Sequence, residues 1–171
     1  ANGLYQGVPN DEAHDLFKLP EFINKMMENK WLGSKSGQGF YKKEGKEILT
    51  LDLDTLEYRS AKKASFATLE LTKTIDKPIN RFKVLITGKD KAGEFYRKDF
   101  GGMFAYVANR IPEISDDVYK IDDAMKAGFG WENGPFEIWD AVGVEKGIEL
   151  IKALGQEPAP WVNEMLASGN K

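Results

Sequence analysis

Apolar residues recur at three- and four-residue spacing through most of the chain, and one stretch near residue 50 breaks that rhythm. Phe22, Ile23, Met26, Met27 and Trp31 predict a helix with Pro20 at its first turn, where a proline suits the backbone. Beyond residue 60 the helical period returns and persists. Ser60 is placed to cap a helix carrying Ala64, Phe66, Leu69 and Leu71. Asp76 or Pro78 opens another with Phe82, Leu85 and Ile86, closed by Gly88. Asp90 caps a long helix through Phe95, Tyr96, Phe100, Met103, Phe104, Val107 and Ile111, and Ser115-Asp116-Asp117 caps one with Val118, Ile121 and Met125. Residues 144–154 and 161–166 complete the helices, and Gly169-Asn170-Lys171 follow without a capping element. In the remaining stretch, residues 40–43, 48–51 and 56–59 read as short antiparallel strands, with a hairpin at Glu44-Gly45 and a turn over residues 52–55.

Two glycine patterns stand out against this background. Gly128 to Gly143 holds Gly130, Gly134, two aromatics before Asn133-Gly134-Pro135, and then Phe136, Ile138, Trp139 and Val142 on one side of Glu137 and Asp140. This predicts a helix, a corner and a short amphipathic helix starting at Pro135 and closed by Gly143, burying two or three large aromatics. The Gly101-Gly102 pair lies inside the long helix, where each glycine costs about 1 kcal/mol relative to alanine. It predicts a close helix–helix contact or a kink.

Composition mainly excludes. Of 171 residues, 42% are hydrophobic and 30% charged, the balance of an ordinary globular protein. A net charge of −3 gives no basic surface for nucleic acid or an anionic membrane. Without cysteine there is neither a disulfide framework nor a thiolate site. No apolar run reaches membrane-span length and no leader pattern is present, so a cytoplasmic location is the default expectation. The chain begins without methionine, and residues 1–6 read as the tail of a helix already under way, before a Val8-Pro9 turn and a short segment with Leu16 and Phe17.

Candidate chemistry is sparse. His14 is the single histidine; Asp11, Glu12 and Asp15 surround it, and it reads as solvated on a charged turn rather than as a metal ligand. No metal, catalytic or cofactor-binding residue is assigned. Leu32 to Lys43 combines Gly33, Gly37 and Gly39 with Lys35, Lys42 and Lys43. Glycine-rich basic turns can offer N–H groups to phosphate, but this one runs from helix to strand, unlike a P-loop. A plain helix-to-strand turn with solvated lysines is the competing expectation.

The chain also repeats itself. Phe22-Ile-Asn-Lys-Met-Met27 aligns with Trp161-Val-Asn-Glu-Met-Leu166, pairing Asn24 with Asn163 and Met26 with Met165 at one common offset. A helix end and a proline-containing turn precede each copy, and a repeat cut at both ends predicts a piece of a longer protein. Three motifs then resemble one family. Trp31-Leu-Gly-Ser-Lys-Ser-Gly-Gln-Gly-Phe-Tyr41, Phe104-Ala-Tyr-Val-Ala-Asn-Arg110, and Asp122-Asp-Ala-Met-Lys126 leading to Gly134-Pro-Phe-Glu-Ile-Trp-Asp140 are similar to the C-terminal helical region of L-3-hydroxyacyl-CoA dehydrogenase, in the long bacterial form fused to an enoyl-CoA hydratase.

The resemblance implies a mainly α fold, a helical repeat of the 6-phosphogluconate-dehydrogenase C-terminal-like type with a small β-hairpin patch. Residues 1–59 would be the end of a first repeat plus that patch, and residues 60–171 a second repeat. It implies service to NAD-dependent oxidation of a 3-hydroxyacyl-CoA in fatty-acid β-oxidation, with substrate-side and interface helices supplied here. NAD and the catalytic histidine and glutamate would belong to a Rossmann domain, and these 171 residues contain no strand running into G-x-G-x-x-G. Lys35, Lys42 and Lys43 are candidate contacts to the acyl-CoA substrate. Asn109, followed by Arg110, matches an active-site asparagine of the first repeat but falls in the second, and reads as a vestige. Implied partners are the Rossmann and enoyl-CoA hydratase domains, with a homodimer as a further assembly. The alternative expectation is a non-catalytic helical scaffold that docks a fused hydratase.

Overall fold

A computed structural model describes residues 2–169. The backbone divides into two compact units, residues 1–64 and 65–171, each taken by itself below. The expected absence of a cap at the chain end involves Asn170 and Lys171, which lie outside the described residues.

The first unit opens with a short helix α1 (Asn2–Gly7) and a 3-10 turn (His14–Phe17), followed by α2 (Glu21–Glu28). Pro20 is the N-cap of α2 rather than its first residue. Trp31 lies beyond α2: Lys30 adopts a left-handed φ of 58°, the chain leaves the helical path, and the indole packs on Tyr58 at 5.6 Å. The three strands β1 (Tyr41–Glu44), β2 (Glu47–Leu51) and β3 (Tyr58–Ser60) form an antiparallel sheet in that order. Tyr41 faces Thr50 across the first pair, and Thr50 faces Arg59 across the second. Met26 and Leu51 are the buried hydrophobics of this unit.

The second unit is helical throughout. Its helices are α3 (Ala67–Thr72), α4 (Pro78–Thr87), α5 (Lys91–Asn109), α6 (Val118–Phe129), α7 (Pro135–Val142), α8 (Val144–Ala153) and α9 (Pro160–Ala167). Ser60 does not cap α3; it ends β3, where its hydroxyl bonds the Glu47 carboxylate, and the helix starts seven residues later at Ala67. The capping falls to Asp90 instead. One Asp90 carboxylate accepts from the Thr68 N–H and hydroxyl at 2.9 and 2.8 Å and from the Gly93 N–H at 3.0 Å, so it serves the first turns of α3 and α5 together. Arg97 closes α4 from the neighbouring helix by donating to the Ile86 and Gly88 carbonyls. Ile111 falls past the end of α5, which stops at Asn109.

Phe104, Ile151 and Val162 are fully buried at the centre. Phe104 stacks on Trp139 at 4.8 Å, which ties α5 to α7. Trp161 donates its indole N–H to the Ala108 carbonyl at 2.9 Å, so α9 closes on the last turn of α5. Gly101 explains half of the glycine pair: a Cβ there would sit 2.8 Å from the Leu150 carbonyl oxygen, so α8 crosses α5 at backbone distance. Gly102 faces open space.

Candidate functional site

The joint between α6 and α7 is built around a buried acid. Asp122 is 4% exposed, and its two carboxylate oxygens accept the Phe136 and Glu137 N–H groups at 2.8 and 3.1 Å. Those amides belong to the first turn of α7, which lacks intrahelical partners. Burial pushes the Asp122 carboxyl up, against the two amide bonds that favour its charge. Glu137 accepts from the Gly134 N–H at 2.9 Å and from Lys126 at 2.7 Å, which together hold its pKa down. This is half of a capping box, since glycine has no side chain to return the bond. Phe136 and Trp139 are buried by the joint, whereas Phe129 and Trp131 stay at the surface. Gly143 ends α7 with φ +104°, as a C-cap glycine should.

Beside this joint lies a cavity of about 560 Å³. Met103, Tyr106, Val107 and Arg110 form one stripe of α5 at helical spacing, and Ile121, Ala124 and Met125 form a stripe of α6. Trp131 and Pro135 of the joint complete its apolar lining. Its charged side chains are Arg110 and Lys120, both cations. The Arg110 guanidinium lies 4.7 Å from the Tyr106 ring centre and 3.1 Å from Glu113. Lys120 pairs with Asp117 at 2.7 Å, which raises its pKa. Asp122 and Glu137 do not line the cavity, and their oxygens are occupied by the helix start. Neither is poised as an acid or base. The sequence motif contained Asp122 without revealing its task, because a carboxylate that caps a helix from fourteen residues upstream leaves no local spacing signal.

The residues singled out from the sequence do not converge on one place. Lys42 and Lys43 are neighbours on β1, so they point to opposite faces of the sheet. Lys42 lies 5.6 Å from the Tyr58 ring centre and 3.8 Å from Glu44, while Lys43 and Lys35 are exposed. In the glycine-rich turn the Gly33 N–H bonds the Gln38 carbonyl, the Gly37 N–H the Ser34 carbonyl, and the Leu32 N–H the Ser36 hydroxyl. Those amides are spent on the turn itself. His14 corrects its expected setting: its ring is half-buried, stacks on Tyr5 at 4.2 Å, and places Nδ1 3.1 Å from the Val8 carbonyl oxygen. Among the described residues, no group of three or more His, Asp or Glu side chains could hold a metal. Asn109 is the last residue of α5, half-buried beside Arg110.

Residues 101–170 match the family described as 3-hydroxyacyl-CoA dehydrogenase, C-terminal domain. This part of the chain is a 3-hydroxyacyl-CoA dehydrogenase C-terminal domain. All 171 residues align at 43% identity with a probable 3-hydroxyacyl-CoA dehydrogenase of Bacillus subtilis, covering 22% of that protein. Putative fatty acid oxidation complex trifunctional enzymes of Rickettsia felis and Rickettsia prowazekii are 29% and 26% identical over 81% and 88% of the chain, which covers 18% and 20% of them. The chain thus spans about a fifth of the length of these curated relatives. No solved structure matches it significantly. The matched residues contain α6, the Asp122-pinned joint and α7 to α9, so the motifs that suggested the dehydrogenase family are the ones that build the α6–α7 corner. Among the described residues, no helix is long and apolar enough to cross a membrane.

Proposed function

We propose that the chain is the C-terminal portion of an NAD-dependent 3-hydroxyacyl-CoA dehydrogenase of fatty-acid β-oxidation and supplies its substrate-side and interface helices. The observation that carries this reading is identity of 43% with a probable 3-hydroxyacyl-CoA dehydrogenase along the whole of these 171 residues. The names of the Rickettsia relatives support a setting in which dehydrogenase and further activities share one polypeptide.

The reaction needs a base for the 3-hydroxyl proton while hydride leaves the same carbon for the nicotinamide. The base must lie within hydrogen-bond reach of the hydroxyl. Nothing in these residues meets that demand: His14 is engaged with Tyr5 and the Val8 carbonyl, and no strand runs into a dinucleotide fingerprint. Base and cofactor site would come from a Rossmann domain in the same enzyme. What these residues contribute is a rigid helical wall, with α5 and α7 locked by aromatic stacking and α6 locked to α7 by Asp122.

A polypeptide of residues 1–171 should neither bind NAD by calorimetry nor form NADH from a 3-hydroxyacyl-CoA, and joining it to a matching Rossmann domain and first repeat should yield turnover. Activity in residues 1–171 that His14→Ala abolishes would overturn the assignment of chemistry to another domain. In the joined enzyme, Lys35→Ala should raise KM modestly with kcat nearly unchanged, since an exposed ion pair is worth about 0–1 kcal/mol. An unchanged KM would leave the glycine-rich turn a purely structural element.

A further inference from the structure

We propose that the cavity between α5 and α6 binds a small amphiphile with an unbranched apolar tail and an anionic head group. The assignment stands on the cavity alone and does not depend on the dehydrogenase reading. Its volume, about 560 Å³, falls within the range of small-molecule sites, and its chemistry is theirs too: apolar walls with a few convergent polar groups. Met103 and Met125 face it from the two helices, and a methionine side chain adapts to a flexible chain better than a branched one. Trp131 stays 38% exposed at the joint, so an aromatic surface borders the space without being used by the core.

Charge selects the head group. The lining contains two cations and no carboxylate, because Glu113 and Asp117, which pair with Arg110 and Lys120, lie outside it. Arg110 is the better anchor. Its side chain is 15% exposed and is held by the Tyr106 ring and by a Glu113 that is itself 63% exposed, so the guanidinium is already ordered before a ligand arrives. A fully apolar ligand would leave these cations unused, and a cationic head would meet like charge.

The test uses methyl-labelled methionine in the 171-residue chain and three probes with the same tail: decanoate, decanol and decyltrimethylammonium. Decanoate should shift the Met103 and Met125 methyl signals and leave Met26 and Met27 in place, with decyltrimethylammonium binding the weakest. Lys120→Met should weaken decanoate by about fivefold, the scale of one half-exposed ion pair, without changing decanol. Ala124→Phe, at an exposed position of the lining, should abolish all three while the far-ultraviolet spectrum stays native. Decanoyl-CoA and coenzyme A form the second arm, because a carboxylate and a nucleotide phosphate offer the same negative head. Shifts with decanoyl-CoA but not coenzyme A would support a tail-dependent site served by either source. Equal binding of the anionic and cationic probes, equal binding of coenzyme A without its tail, or shifts that survive in a folded Ala124→Phe variant would each overturn the proposal.

Discussion

Asp122 and Glu137 occupy the same joint yet are displaced in opposite directions, and each displacement has a readable consequence. The Lys126 bond first, then the Gly134 amide, holds Glu137 below its ordinary 4.5. A lowered folded-state value gives stability that is complete above the unfolded pKa and is lost as pH falls through the folded one. Acid unfolding should therefore begin to weaken the joint below about 4.5, and Glu137→Gln should flatten that limb of a stability–pH curve. Solvent screens this pair, so the slope is the quantity to follow. Burial raises Asp122 above its ordinary 3.8, so its linkage runs the other way and its contribution declines as pH rises through the folded value. Replacing it tests geometry rather than charge. Asp122→Asn turns an NH₂ group toward one of two amide donors and should cost about 1–3 kcal/mol by urea denaturation, with Asp122→Ala costing more. A neutral effect of both would show that the α7 amides find other partners.

At the scale of elements, the crossing of α5 and α8 turns two adjacent glycines into opposites. Gly101 has the Leu150 carbonyl where its Cβ would be, and Gly102 has nothing within 4 Å. Gly101→Ala should force the helices apart and lose about 1–3 kcal/mol, as overpacked cores do. Gly102→Ala should instead gain about 0.5–1 kcal/mol by reducing the freedom of the unfolded chain. Thermal melts of the two variants would check the contrast, and a shared sign would mean the pair acts as a kink rather than a contact.

For the whole molecule, the distribution of core predicts where protection lies. The first unit buries Met26 and Leu51, whereas the second closes around Phe104, Trp139, Ile151 and Val162. Native-state hydrogen exchange should find the slowest amides in α5, α7 and α8 and faster exchange in the three-stranded sheet. Comparable protection of β2 and α5 would contradict this ranking.

Much of the architecture was legible as period and punctuation. The stripes of Phe100, Phe104 and Val107, the cap at Asp90, and the Gly134-Pro135 corner are local signals, and each element they predicted is present. The dehydrogenase family was legible too, because its motifs are contiguous. The misses share a cause. Ser60 looked like a cap because capping residues are recognised by type, but the α3 amide it would have served is held by Asp90, which is adjacent only after folding. Trp31 looked helical by spacing until a left-handed Lys30 diverted the chain. Lys42 and Lys43 looked like one basic patch, and the pleat separated them. The cavity and its paired cations had no linear signature, since its lining comes from two helices and the joint after them. The sequence by itself determined which segments are helical and which family they serve. Only tertiary structure decided which glycine is a contact, which acid is a pin and where space remains, because those properties depend on groups that lie far apart along the chain.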